Sequence, residues 1–241
     1  MDAAIDRMKI GFLGLSGGAG TGFLSSVLAR VLAEKGGYRP AVLELGSGGL
    51  YDSLGMDRRF SERHYFSFHK AVSQDKSIRG RNNESDGVNW ALIPTGETAD
   101  SLDLYRRIRL INNVSGDVIL CRLAGLPEKD FWNVLREMDR IVLIIDPLPS
   151  KMLPGYELLC SLRISHFPVI YTVNKFNGGV YRRELLDYLK IKKLHYIPLI
   201  SQEAIYGAEY TCRTAYDMAG VPKQLDKPLE SLIKEIFAFS Q

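Results

Sequence analysis

The sequence is poor in cysteine, in long apolar runs and in net charge. Its three cysteines, Cys121, Cys160 and Cys212, stand far apart with no C-x-x-C pair. That excludes a disulfide framework and a thiolate zinc site, and it predicts reduced thiols of the cytosolic kind. No run approaches the ~18 apolar residues of a membrane span. The opening MDAAIDRMKIGFLGLSGG carries only a short apolar stretch broken by glycine, so neither a leader peptide nor a spanning helix is expected of it. Thirty-one basic against 28 acidic residues leave +3. A charge this small does not by itself indicate DNA or an anionic membrane as a partner. The four histidines lack metal-ligand spacing and no G-x-S-x-G elbow occurs, so no metal site and no catalytic side chain is assigned.

What is present is an ordinary globular composition, 46% hydrophobic and 24% charged over 241 residues. A chain of this length can bury a large core without staples. With no internal repeat or Pro/Ser linker, residues 1–241 are expected to form a single domain.

Apolar runs at residues 9–15, 40–45, 88–93, 117–123, 140–146, 168–173 and 195–200 predict about seven strands. Helical stretches lie between most of them. The first has Leu24, Val27, Leu28, Val31 and Leu32 on one face. Residues 229–237 predict a closing amphipathic helix whose stripe, mixed with Glu230, Lys234 and Glu235, suits packing on the sheet. Continuous apolar strands alternating with helices give an α/β fold: a doubly wound, mostly parallel sheet with helices on both faces. Residues 46–87 interrupt this rhythm. They are polar and carry Arg58, Arg59, Arg63, Lys70, Lys76, Arg79 and Arg81; short basic runs recur at Arg106, Arg107 and Arg109 and at Arg182 and Arg183. Solvated faces are the expectation for these, with a local patch for DNA, anionic lipid or an acidic partner as the functional alternative.

Between the first strand and first helix lies SGGAGTG, residues 16–22. Gly17, Gly18, Gly20 and Gly22 let the backbone curl closely around an anion at a helix N-terminus. A working P-loop reads G-x-x-x-x-G-K-[ST]. Here Gly20 is followed by Thr21 and Gly22, so both the phosphate-binding lysine and the Mg²⁺-binding hydroxyl are missing.

With that loop, the order of segments resembles the ParA/MinD family of deviant P-loop ATPases over nearly the whole chain. The family's first motif, K-G-G-x-G-K-T-T, is matched by Ser16-Gly17-Gly18-Ala19-Gly20-Thr21-Gly22-Phe23. Its strand ending D-x-D is matched by Val42-Leu43-Glu44-Leu45-Gly46, and its D-x-x-x-G by Cys121-Arg122-Leu123-Ala124-Gly125. A strand ending N-[KR] near the adenine is matched by Asn174-Lys175, and a last strand ending I-P by Ile197-Pro198. The resemblance implies a P-loop NTPase-like fold, with Gly17, Gly18, Ala19, Gly20, Thr21, Gly22, Phe23, Glu44, Asn174, Lys175 and Pro198 around ATP or ADP.

The frame matches while the chemistry is depleted. The signature lysine that crosses the family's dimer is Ser16, the P-loop lysine is Thr21, and the Mg²⁺ hydroxyl position is Gly22. The two aspartates of D-x-D are Glu44 and Gly46, and the Mg²⁺-side aspartate is Cys121. One comparable electrostatic group is worth about 3–4 kcal/mol to a transition state, and phosphoryl transfer is mostly positioning and charge neutralisation. The expectation is a pseudo-ATPase that binds nucleotide weakly or not at all, with Mg²⁺ left open.

By resemblance the function is a ParA/MinD-like positioning protein, cytoplasmic or peripheral at a pole or membrane, with protein partners and a homodimer. The pilus-localisation branch (TadZ/CpaE-like), known for atypical P-loops, adds Flp-type pilus assembly. Two alternatives stand beside it: a DNA-partition protein using the basic loops, and a P-loop kinase or ligase-like enzyme whose lysine is supplied by Lys9 or Lys175.

Overall fold

Strand β1 (Met8–Gly14) runs through the middle of an eight-stranded sheet ordered β3-β4-β2-β5-β1-β6-β7-β8. The structure is a computed structural model and describes residues 7–238. Residues 1–6, the start of the segment read above for a leader, lie outside the described residues. From β1 the chain turns into α1 (Thr21–Lys35), then β2 (Pro40–Glu44). Three short helices follow, α2 (Leu50–Ser53), α3 (Met56–Arg59) and α4 (Phe68–Ser73), in the region that lacked rhythm in sequence. The hairpin of β3 (Glu84–Ser85) with β4 (Val88–Ala91) is antiparallel; all other pairings are parallel. The seven parallel strands are those expected, and β3 is an added two-residue edge.

Next come α5 (Leu104–Asn113), β5 (Val118–Arg122), α6 (Glu128–Arg136) and β6 (Arg140–Ile145). Then α7 (Pro149–Met152), a 3₁₀ turn and α8 (Tyr156–Ile164) lead into β7 (Val169–Phe176), α9 (Arg182–Leu189) and β8 (His195–Pro198). The last helices are α10 (Gln202–Tyr210) and α11 (Val221–Phe237). Helix α11 starts earlier than its apolar stripe suggests because it runs through Pro228. Helix α10 escapes the periodicity reading because only Ala208 of it is buried.

Two core layers sandwich the sheet. On one face α1 and α11 pack through Leu24, Leu28, Leu229 and Leu232 against Leu120 and Val142. On the other, α5, α6, α8 and α9 pack through Leu110, Val134, Leu159 and Leu185 against Leu43 and Leu143. Alternate residues of each buried strand feed alternate layers, which is why these strands read as unbroken apolar runs. The closing stripe thus packs on the sheet, with Leu225, Leu229, Leu232 and Ile236 buried. Among the described residues no helix is long and apolar enough to cross a membrane.

Chain order explains where a site forms. From β1 the chain crosses outward to β2 on one side, and β6, β7 and β8 extend the other. Where the direction of winding reverses, the loops at the strands' carboxyl ends diverge and leave a crevice. The glycine loop lies there.

Candidate functional site

Residues 15–20 carry the chain from β1 into α1. Gly18 (φ 78°) and Gly20 (φ 101°) adopt left-handed backbone. A Cβ at Gly20 would also collide with the Asn174 amide, so that position needs glycine for two reasons. Helix α1 has Gly20 as its N-cap and receives no side-chain cap. Its first-turn N–H groups therefore face the loop as donors, the arrangement that attracts anions. The Ser16 hydroxyl is buried there without a partner among the described residues. Phe23, by contrast, packs onto the core from α1.

One side of the loop is fastened by β7. Asn174 Nδ2 donates to Ala19 O at 2.9 Å, and Lys175 Nζ donates to Gly18 O at 2.8 Å. Neighbouring strand residues normally face opposite ways. Here Lys175 takes a left-handed φ of 56°, where the β7–β8 register is irregular between Val173 and Phe176. That break turns both side chains onto the loop. Lys175 Nζ also meets Asp146 Oδ2 at 2.7 Å, and Asp146 is buried just beyond β6. Pro198 ends β8 opposite Phe176.

The other side is occupied by an arginine. Arg122 ends β5 beside Glu44, its register partner on β2. Its Nη1 donates to Glu44 Oε1 at 2.7 Å, to Ser47 O at 2.6 Å and to Gly48 O at 3.1 Å. Its Nε reaches Thr21 Oγ1 at 3.4 Å. Glu44 is fully buried and also accepts from Leu50 N at 3.1 Å and Ile93 N at 3.0 Å. Burial pushes its carboxyl up, while those two N–H groups and Arg122 pull it back down.

Mg²⁺, which the resemblance would place here, takes hard oxygen ligands with near-octahedral geometry. The residues do not fit it. Gly22 has no hydroxyl, and a side chain there would press on Leu50 at 3.1 Å and lie 3.9 Å from Arg122 Nε. Cys121 points into the opposite core layer, where burial pushes its thiol up to about 12. At Gly46 any side chain would run into the backbone of residues 124–126, so an aspartate is sterically barred. Glu44 is consumed by Arg122 and two amides. Among the described residues no group of three metal-ligating side chains occurs.

A mostly apolar groove of about 680 Å³ opens beside Lys175 and Asp146. Leu148, Leu153, Tyr181 and Leu199 line it and remain more than half exposed.

Most of the basic residues of the sequence are exposed, as expected of solvated faces: Arg58, Arg63, Lys70, Lys76, Arg79, Arg81, Arg182 and Arg183. Arg59 bonds Cys212 O and Asp86 and lies over Trp90. Arg63 and Arg81 stack on Phe60 and Phe66, and Arg79 bonds Asn113. Arg107 departs from the expected solvated run: it is 1% exposed and pairs with Asp130 at 3.0 Å. Lys9 sits at the amino end of β1 with Glu137 at 3.7 Å, the far end of the sheet from the loop. Lys175 alone of the two candidate lysines reaches it.

Neither a family model nor a curated protein matches the sequence. Solved structures do match it. The ParA-family ATPase of Chlorobium tepidum TLS superimposes with a TM-score of 0.75 at 13% identity, over 95% of this chain and 99% of that one. Pyrococcus horikoshii OT3 septum site-determining protein MinD, solved with Mg-ADP, gives 0.73 at 15% identity over 94% and 96%. The MinC:MinD cell division complex of Aquifex aeolicus gives 0.72 at 15% identity over 94% and 96%. This chain has the MinD/ParA fold. Within that MinD/ParA frame, the residues the sequence reading missed are Arg122 and Asp146. Arg122 had a signal: a charge two residues past Leu120 in a buried strand faces the α1 side. Asp146 had only its place, the last residue before Pro147.

Proposed function

We propose that this chain is a positioning protein of the MinD/ParA kind whose glycine-loop site does not turn over ATP. The observation that carries this reading is the Arg122–Glu44 pair beside Gly22: a guanidinium anchored to a buried carboxylate stands where a catalytic metal and its hydroxyl ligand would be. Lys175 is likewise held by Asp146 and Gly18. The loop keeps a backbone cradle for ATP or ADP, and its side chains supply no in-line chemistry.

The protein then acts through its surfaces. The exposed apolar groove beside the loop suits a protein partner, as MinD of Aquifex aeolicus has MinC. Ser16 stands where the family's cross-dimer lysine would be, so a homodimer of this chain forms without nucleotide. Flp-type pilus assembly is the cellular setting that the sequence resemblance favours. Arg59 and Arg107 are paired internally and are not free for phosphates; a salt-sensitive shift of nonspecific duplex DNA, carried by the exposed Arg58, Arg63, Arg79 and Arg81, would favour the DNA-partition alternative instead.

The test is release of phosphate from Mg-ATP by the pure full chain. Background rates are expected, with and without DNA or anionic vesicles. Turnover above background that disappears on Lys175→Met would overturn this reading in favour of the relocated-lysine enzyme.

A further inference from the structure

We propose that Arg122 takes the place of the divalent cation at the glycine loop, so that a nucleoside di- or triphosphate binds there as the metal-free anion and Mg²⁺ is actively excluded. This rests on the reading of the loop as a phosphate cradle without turnover.

Position is the first argument. The guanidinium lies at the mouth of α1, 3.4 Å from Thr21 Oγ1 and 3.9 Å from where a Gly22 side chain would begin. In the resemblance, Gly22 is the position whose hydroxyl would hold the metal, so cation and metal claim one space.

Valence is the second. Nη1 is used three times, by Glu44, Ser47 and Gly48, and Nε is turned to Thr21. Nη2 meets no acceptor among the described residues. A guanidinium is a planar fork that pairs with phosphate oxygens and cannot lose its proton near neutral pH. One arm is anchored and the other is available.

The ligands left for a metal are the third. Both Glu44 oxygens already accept donors, and the carboxylate is fully buried. Asp146 is held by Lys175. Gly46 is closed by backbone. A dication approaching the loop would find the Arg122 guanidinium in its place and no free carboxylate to hold it.

The experiment is calorimetric titration of the full chain with ADP, ATP and inorganic pyrophosphate, in EDTA and in excess MgCl₂. Binding is expected in EDTA. Excess Mg²⁺ should weaken it severalfold, because it sequesters the free anion. The double variant Arg122→Gln with Glu44→Gln leaves no orphan charge, and should lose roughly ten- to a hundredfold of metal-free affinity, the range of a lost charged hydrogen bond. If it does not fold by circular dichroism, Arg122→Lys makes the comparison: charge kept, fork lost, binding severalfold weaker and still not improved by Mg²⁺.

Affinity that rises tenfold with Mg²⁺ would overturn the proposal, as would no heat in either buffer, or foldable variants that bind like the parent. The outcomes separate the two readings. Mg²⁺-dependent binding without phosphate release defeats this inference alone, whereas Mg-ATP turnover defeats the underlying reading as well.

Discussion

Lys175 Nζ lies 2.7 Å from Asp146 Oδ2 while donating to Gly18 O at 2.8 Å, so one ammonium ties the glycine loop to a carboxylate beyond β6. Asp146 is buried, and among the described residues its only other donor is Leu148 N at 3.2 Å. Lys175→Met should therefore cost about 1–3 kcal/mol by leaving a buried acceptor short of partners. Lys175→Met with Asp146→Asn should recover part of that loss in urea unfolding. Amide exchange at residues 17–19 should quicken in both.

Arg107 supports the site from below. It donates to Leu45 O at 3.1 Å and Ala99 O at 2.9 Å, and to Leu102 O, besides pairing with Asp130. Arg107→Met should destabilise by about 3–5 kcal/mol, because Asp130 is stranded in the interior. Adding Asp130→Leu should return a substantial fraction, measured as a double-mutant cycle.

His69 makes a pH prediction. Its Nε2 is 2.6 Å from the Glu44 carbonyl, Nδ1 has no partner among the described residues, and burial holds its pKa below the ordinary 6.5. The fold keeps this ring neutral, while the unfolded chain protonates it near 6.5. Stability from this group is thus full above that pH and falls as pH drops toward the folded-state value. His69→Gln, which preserves a donor to the carbonyl, should flatten the melting temperature between pH 7 and pH 5.

The glycines of the site should separate sharply. Gly17 faces open space, so Gly17→Ala should be neutral or stabilising by about 0.4–1 kcal/mol. Gly46→Ala drives a methyl into backbone at residues 124–126 and should cost roughly 1–3 kcal/mol. Gly20→Ala combines φ 101° with the Asn174 collision and should also open the loop, visible as faster exchange there.

The sheet was legible because its strands are buried on both sides and read as apolar runs. Period alone located β1, β2, β5 and β6 to within a residue or two. The region from Gly46 to Gly87 was not, since α2 and α3 are four residues each and are set by tertiary contacts such as Tyr51 with Tyr65 and Asp57. Gly18, Gly20, Glu44, Asn174 and Lys175 are the residues the motif names; Asn174 and Lys175 reach the glycine loop directly, and Glu44 is linked to Thr21 indirectly, through Arg122. Motif matching looked for a lost aspartate at Cys121 and overlooked its neighbour. Strand alternation separates the two: odd positions of β5 enter the α5–α6 layer, so of Cys121 and Arg122 it is Arg122 that faces α1.

The left-handed turn at Lys175 has a mechanical consequence. Two successive residues of β7 hold the loop, and β7 is zipped to β8, which packs under α11. A ligand that lifts Gly18 and Ala19 must either snap those two tethers or tug the strand that bears them. The far edge of the sheet is thus joined to the glycine loop by a continuous run of hydrogen bonds and packing.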